Sequence, residues 1–481
     1  MSAKNTAKKE QAPCPYAKKC GGCQLMNMTY PEQLSWKTAR CIKLLGRFCH
    51  IEDIIGMQNP THYRNKVQAA FQLTRSGKIV SGVYQSGTHN VVNVNSCLTE
   101  DIKADEITVY IRSLLPRFKI LPYNEDSRAG FLRHVLVRRG FSSGEIMVVL
   151  VGANPRFPMK SRLCDALVER FPEITTVVFN INPHKTSMVL GERSETLYGK
   201  GYIEDTLCGC TFRISPASFY QINPVQTEVL YNTAIEFASL NKDSTVIDAY
   251  CGTGTIGIAA AKYAGSVTGV ELNPEAVKDA VFNAKRNHIE NIAFVKADAG
   301  EFMLEAAEQG ETADIVFMDP PRAGSDKKFL SSLVTLAPEK VVYISCNPET
   351  LARDLTFLTK NGYKVRKIQP VDMFPFTNHV ETVVLLSQQK PKFTVDIDIN
   401  LDEFDQTAAE AKATYQEIQH YIYKKYKLKV SHLNIAQIKR KYGIIERQNY
   451  NLPKSEDSRQ PQCTPEKEQA IVDALKYFKM I

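Results

Sequence analysis

The sequence predicts an α/β fold built on a doubly wound, mostly parallel sheet, with a smaller α+β portion before it and a small helical extension after it. Three observations carry that expectation. Between residues 214 and 388, apolar β-branched segments alternate with helical patterns, as strands joined by crossover helices do. The first of these strands, Thr245–Ala249, runs into a glycine-rich turn, Asp248-Ala-Tyr250-Cys-Gly252-Thr-Gly254-Thr-Ile-Gly257. Acidic residues then recur where successive strands end, which is where open α/β sheets hold their ligands.

At 481 residues the chain exceeds one ordinary core, so several domains are expected. Its 43% hydrophobic and 23% charged residues are those of a globular protein rather than a disordered or fibrous one. No apolar run reaches the length of a membrane span, and the opening MSAKNTAKKEQAP lacks the apolar stretch of a secretion signal. Residues 1–13 are expected to be a disordered tail, and the protein cytoplasmic. A formal net charge of +8 suits a polyanionic partner. Twelve cysteines without a secretion signal favour metal or catalytic roles over disulfides.

In chain order, the first chemical signal is Cys14-Pro-Tyr-Ala-Lys-Lys-Cys20-Gly-Gly-Cys23, in a loop taken as residues 14–29. Gly21 and Gly22 let the backbone wrap tightly. No second C-x2-C pair accompanies it, so an iron–sulfur cluster suits the spacing better than zinc. Cys97, where a strand gives way to a polar turn, is the best fourth ligand. An amphipathic helix follows from Tyr30 to Phe48 within a segment 30–60, with Cys41 and Cys49 as packing residues. Residues 61–213 read as an α+β domain. Its strands are placed at 62–71, 78–84, 132–139, 145–151 and 175–181, with a helix near 158–170 and short strands to about residue 213. Tyr63, Arg64, Lys66 and Phe71 interleave basic and aromatic side chains, the mixture that tracks phosphates and stacks bases, or an ordinary solvated sheet face.

The alternating region 214–388 opens at Ser218-Phe-Tyr-Gln221-Ile-Asn-Pro224. Its strands are expected at 245–249, 266–271, 292–297, 314–319 and 341–346, then near 364–371 and 380–386. Glu271 ends the second strand, placed for ribose hydroxyls, and Asp298 ends the third, placed for an adenine amino group. A dinucleotide site is the first alternative, but it gives no reason for Asp319-Pro-Pro-Arg322 at the fourth tip. Acids at successive tips fit an adenosine ligand bearing a sulfonium, as in S-adenosylmethionine; helix capping is the alternative for any one of them. The fifth strand delivers Cys346 to its own end in VVYISCNPETLARDL, and Pro348 forces a turn there. Residues 389–481 form the extension, with a strand at Phe393–Leu401 and helices near 407–426, 431–442 and 465–478. Its Lys424-Lys425 and Lys439-Arg-Lys441 suit either RNA docking or an ordinary solvated surface.

As a set, CPYAKKCGGC, FYQIN, DAYCGTGTIG, VELN, MDPPRAG, ISCNPETLARD and FPFTNHVETVVLL resemble the RNA uracil-5-methyltransferases, specifically their iron–sulfur members acting on 23S ribosomal RNA. The resemblance spans roughly residues 14 to 388 and implies a class I S-adenosylmethionine-dependent methyltransferase fold with an iron–sulfur-bearing α+β domain. It implies a [4Fe–4S] cluster on Cys14, Cys20, Cys23 and Cys97. Gln221, Tyr250, Thr255, Glu271, Asp298 and Asp319 fall where that family binds S-adenosylmethionine. Cys346 matches its nucleophile and Glu381 its base. Thr255 stands where many relatives carry asparagine, and no separate small β-barrel precedes the cysteines, so the grip on RNA is expected from other segments. A monomer acting on 23S rRNA is implied, with transfer-RNA T-loop uridine and a non-catalytic RNA-binding role as the alternatives.

The implied chemistry suits these residues. Uracil C5 is a weak carbon nucleophile, and a thiolate adding at C6 turns the ring into an enolate that attacks a methyl group. A carboxylate must then remove the C5 proton so that the thiol can leave. Asp319 and Arg322 are placed to hold the base edge, and the uridine must flip out of its RNA stack to reach the thiol. Phe374 and Phe376 are a stacking platform or core.

Overall fold

The computed structural model describes residues 14–186, 188–389, 415–442 and 463–478, and Met480. The chain divides into two compact units, one up to residue 392 and one from residue 393. The expected tail 1–13 and the expected strand Phe393–Leu401 lie outside the described residues.

The first unit begins with a mixed sheet of β1 (Lys66–Leu73), β2 (Ile79–Tyr84), β3 (Val91–Asn93), β4 (Leu132–Arg139), β5 (Ile146–Gly152), β6 (Ile174–Ile181) and β7 (Arg193–Gly199). Its order is β3-β2-β1-β4-β5-β6-β7. Alternation sends Val67, Ala69, Phe71, Val135 and Val137 to one face, where they pack with residues of helices Ile102–Arg117 and Lys160–Arg170. The opposite face sends Leu136, Met147, Val149 and Val151 into a second core with Tyr220, Leu230 and Phe317. Burial on both faces explains why β5 is apolar throughout.

Two readings are corrected here. The strand expected from residue 62 starts at Lys66, and Tyr63 and Phe71 are core residues, 4% and 2% exposed, not a stacking face. Tyr63 spends its hydroxyl on the Pro375 carbonyl, 3.0 Å away. Helix Ile102–Arg117 was not anticipated, because Ile107-Thr-Val-Tyr-Ile111 has the composition of a strand. Its Asp101 cap and its buried Ile107, Ile111, Leu114 and Leu115 settle the helical period.

A small hairpin, β8 (Ile203–Leu207) and β9 (Cys210–Ile214), leads to the second sheet. That sheet contains β10 (Thr245–Ala249), β11 (Ser266–Glu271), β12 (Ile292–Lys296), β13 (Ile315–Met318), β14 (Lys340–Ser345), β15 (Tyr363–Val371) and β16 (Glu381–Gln388). The order is β12-β11-β10-β13-β14-β16-β15. β10 to β14 are parallel, and β16 inserts antiparallel between β14 and β15. The order reverses between β10 and β13, which opens a crevice at their carboxyl ends.

Helix Tyr30–Leu45 starts from a Thr29/Glu32 capping box and buries Cys41 and Leu45 in the core behind β14. Its Lys37 reaches Asp372, in the loop before β16, at 2.5 Å, with both side chains fully buried, and also donates to the Phe374 carbonyl at 3.0 Å. The same loop takes Gln33 on the Phe376 amide, Arg40 on the Asn378 carbonyl and the Leu25 amide on the Phe376 carbonyl. Phe376 is 8% exposed and so belongs to the core rather than to a stacking platform.

The second unit has helices Tyr415–Tyr426, His432–Lys441 and Pro465–Tyr477 around Ile418, Ile422, Ile435, Ile438, Ile471 and Leu475.

Breaking a buried ion pair from one side strands a charge. Lys37→Met should cost about 3–5 kcal/mol in urea denaturation, and Lys37→Met with Asp372→Leu should recover most of that loss.

Candidate active site

Cys346 directly follows β14, and Glu381 is the first residue of the antiparallel β16. Ser345 pairs with Thr382 in that ladder, so the next step of the register sets Cys346 beside Glu381. Thr382 Oγ1 also donates to the Ser345 carbonyl at 3.3 Å. After Cys346, Asn347 caps helix Pro348–Lys360, so the chain turns at the thiol as Pro348 requires. Asp319 stands at the end of the neighbouring β13, whose Met318 pairs with Tyr343.

These groups feel one another. Burial, with Asp319 nearby, pushes the Glu381 carboxyl up to about 8. Burial alone pushes Asp319 up to about 7. The Cys346 thiol rises to about 11 through burial and the adjoining Glu381 and Asp319, with Arg322 opposing. Burial is the first cause of each shift, so these groups hold their protons to higher pH than in water, and a cation bound beside them would favour their charged forms.

The loop after Asp319 is held from below by Asp354, which is fully buried. Its carboxylate accepts from Tyr343 Oη at 2.7 Å, the Ser325 amide at 2.9 Å and Arg353 Nε at 2.8 Å. Arg353 donates onward to the Ala323 and Ser325 carbonyls. Gly324 has φ 75°, and a Cβ there would meet Asp354 Oδ2 at 2.6 Å, so only glycine lets the loop lie so close.

On the other side of the crevice, Glu271 accepts from the Gly252 amide at 3.1 Å and the Asn273 amide at 2.8 Å. Tyr250 has φ 64° at the tip of β10, and its ring packs on Phe329 with centroids 4.8 Å apart. Tyr231 stands near both Gln221 and Thr255, its hydroxyl 3.4 Å from Thr255 Oγ1. Asp298 is exposed and caps helix Ala299–Glu308 through the Glu301 amide at 3.0 Å, while remaining close enough to act on Tyr250. Tyr231, Phe329 and Asp354 were not singled out from the sequence, and Asp248 was read only as one of the strand-tip acids. Asp248 had a signal, an acid inside an apolar strand; it is 1% exposed, accepts from the Gly257 amide at 2.8 Å and is pushed up to about 7 by burial and nearby Asp319 and Glu271.

The four expected cluster cysteines are free and half-buried. The Cys23 thiol is pushed up to about 12 by burial and by Cys97, Cys20 and Cys14, with Arg64 opposing, so the four share one neighbourhood. Tyr16 Oη accepts from the Asn95 amide at 3.3 Å and ties the cysteine loop to the segment carrying Cys97. Among the described residues, however, no three Cys, His, Asp or Glu side chains form a group that could hold a metal ion. The thiols gather without closing to ligand geometry, so the expected iron–sulfur centre is not shown.

The family model described as tRNA (uracil-5-)-methyltransferase matches residues 195–389, which include both the β14–β16 pair and the glycine-rich turn. An uncharacterized RNA methyltransferase of Clostridium tetani is 42% identical over 386 residues, covering 79% of this chain and 84% of its own. The chain belongs to this RNA methyltransferase family. A second relative, an uncharacterized RNA methyltransferase of Oceanobacillus iheyensis, is 42% identical over 374 residues, covering 76% of this chain and 81% of its own. The crystal structure of Pyrococcus abyssi tRNA (uracil-54, C5)-methyltransferase, in complex with S-adenosyl-L-homocysteine, superposes with a TM-score of 0.64 and 28% identity. It covers 76% of this chain and 85% of that one. The second sheet is thus a class I S-adenosylmethionine-dependent methyltransferase fold. Among the described residues no helix is long and apolar enough to cross a membrane.

The raised carboxyls of this methyltransferase set a pH dependence. Unfolded carboxyls titrate near about 4, so Asp248, Asp319 and Glu381 favour the native state while protonated; that contribution is fully present below about pH 4 and is lost progressively until pH has risen through the folded values of about 7 to 8. In ligand-free protein, Asp319→Asn should raise the urea midpoint more at pH ~9 than at pH ~5.

Proposed function

We propose that the chain transfers a methyl group from S-adenosylmethionine to C5 of a uridine in 23S rRNA, through a covalent bond between Cys346 and uracil C6. The observation that carries this reading is the register placing Cys346 beside Glu381. Cys346 adds to C6, with Asp319 and Arg322 at the base edge. S-adenosylmethionine supplies an electrophilic methyl group on a sulfonium. Gln221, Tyr250, Thr255, Glu271 and Asp298 line its place, and the acids of the crevice, once deprotonated, suit its positive charge. C5 of the resulting enolate bonds to that methyl group as the sulfonium–methyl bond breaks, leaving the neutral thioether S-adenosylhomocysteine; Glu381 then takes the C5 proton, the C5=C6 bond re-forms and the C6–sulfur bond breaks, releasing Cys346 as a thiolate. The pocket is reached by a flipped base.

Transfer-RNA T-loop uridine is the second reading, favoured by the family model's description and by the Pyrococcus abyssi neighbour, which acts on tRNA. The gathering of Cys14, Cys20 and Cys97 near the Cys23 thiol supports a [4Fe–4S] cluster there, with Arg64 favouring thiolate, as a brace for the N-terminal loop. Iron and sulfide analysis of anaerobically purified protein tests it. The enzyme is proposed to act as a cytoplasmic monomer.

Cys346→Ala should lower methyl transfer from labelled S-adenosylmethionine by more than about a thousandfold. Glu381→Gln should stop turnover but leave a protein–RNA adduct that survives denaturing gels; undiminished transfer in either variant would sink the mechanism. Mass spectrometry of rRNA and tRNA from a strain lacking the gene should show 5-methyluridine lost from 23S rRNA, and loss from tRNA instead would establish the second reading.

A further inference from the structure

The central sheet carries a pair of cations that the catalytic chemistry does not use. β1 and β4 are antiparallel with Lys66 opposite Arg138, so the two side chains rise side by side from one face. This is the face whose Leu136, Met147 and Val149 join the core shared with the catalytic half, not the face covered by the two helices. Like charges opposite one another destabilise a sheet unless something offsets them.

Nothing in the described protein does. Neighbouring arginines are neutralised: Arg133 pairs with Glu125 at 2.8 Å and Arg139 with Asp101 at 2.9 Å. Arg138 is 6% exposed; one nitrogen donates to the Ser218 carbonyl at 2.7 Å, and its buried Nε has no partner among the described residues. Among those residues neither Arg138 nor Lys66 has an acid within ion-pair reach. Burial draws Lys66 down to about 8, with Arg138 adding to the shift, and burial draws Arg138 down to about 10. The pair lies where the sheet meets the segment leading to Gln221, since the Asn65 amide donates to the Ile222 carbonyl at 2.9 Å.

We propose that Lys66 and Arg138 form a phosphate site that grips the backbone of the RNA entering the catalytic crevice. The inference rests on RNA being the substrate. A phosphodiester keeps its negative charge at every working pH and offers oxygens to both a point-charge ammonium and a planar guanidinium. Half-buried Lys66 supplies the accessible cation, and Arg138, fixed by Ser218, links that contact to the segment ending at Gln221.

The test uses the full chain with a fluorescent single-stranded oligouridylate, because backbone contacts are indifferent to sequence. Lys66→Met should weaken binding about tenfold and reduce the slope of log affinity against log salt by about 0.7, with Lys66→Arg restoring both. S-adenosylmethionine affinity, read by calorimetry, should stay unchanged. Without RNA, the Lys66→Met thermal midpoint should hold or rise, since an unpaired charge has been removed. Equal affinity and slope in wild type and Lys66→Met would overturn the proposal, as would weakened binding accompanied by a lower midpoint. A midpoint that responds to inorganic phosphate, with oligouridylate affinity equal in both proteins, would assign the pair to a free anion and overturn the RNA assignment. Failure of the methylation reading itself appears separately, as absent methyl transfer while wild-type RNA binding remains salt-dependent.

Discussion

The buried pair between Lys37 and Asp372 is the constraint on which the rest of the catalytic half depends. A lysine and an aspartate removed together from water persist only when each satisfies the other. Here they tie the N-terminal helix to the loop that ends at Glu381. Gln33, Arg40 and Tyr63 spend their hydrogen bonds on the same loop. Glu381 is therefore placed by two agents, its ladder with β14 and a brace from the start of the chain. The segment 24–63 is part of the catalytic architecture even though it contributes no residue to the crevice chemistry described above.

Charge is distributed to a purpose across the first unit. The crevice gathers Asp248, Asp319 and Glu381, and burial, with neighbouring acids beside two of them, raises their proton affinities. The first sheet sets two cations, Lys66 and Arg138, side by side. Each arrangement disfavours the charged forms in the empty protein, and a ligand of the opposite sign offsets that cost. A sulfonium methyl donor and a polyanion have the two signs required.

Much of this was legible in the sequence, for physical reasons. Strands such as β13 and β14 were readable because burial on both faces demands unbroken apolar runs, and their tips because acids and glycines interrupt those runs. The turn at Cys346 was readable because proline cannot continue a ladder. The helix after Asp101 was hidden because its β-branched residues favour strands in isolation, and only tertiary packing decided for the helical period. The pairing of Cys346 with Glu381 depended on β16 inserting antiparallel between β14 and β15, a choice of topology that no local pattern encodes. Asp354 was equally silent, since an acid in a helix ordinarily faces water. Asp298 shows the converse: a residue picked for ligand binding that also serves as a helix cap.

The antiparallel insertion of β16 also has a consequence for the order in which the molecule is made. The thiol emerges from the ribosome on β14 well before the carboxylate on β16, with β15 synthesised in between. Until β16 threads between its neighbours, β14 presents an unpaired apolar edge, open to any strand that passes. A nascent or truncated chain ending before residue 381 would thus carry Cys346 without the carboxylate proposed to act with it, and with that edge open to aggregation. The strand that sets Glu381 beside Cys346 is also the one that seals the sheet.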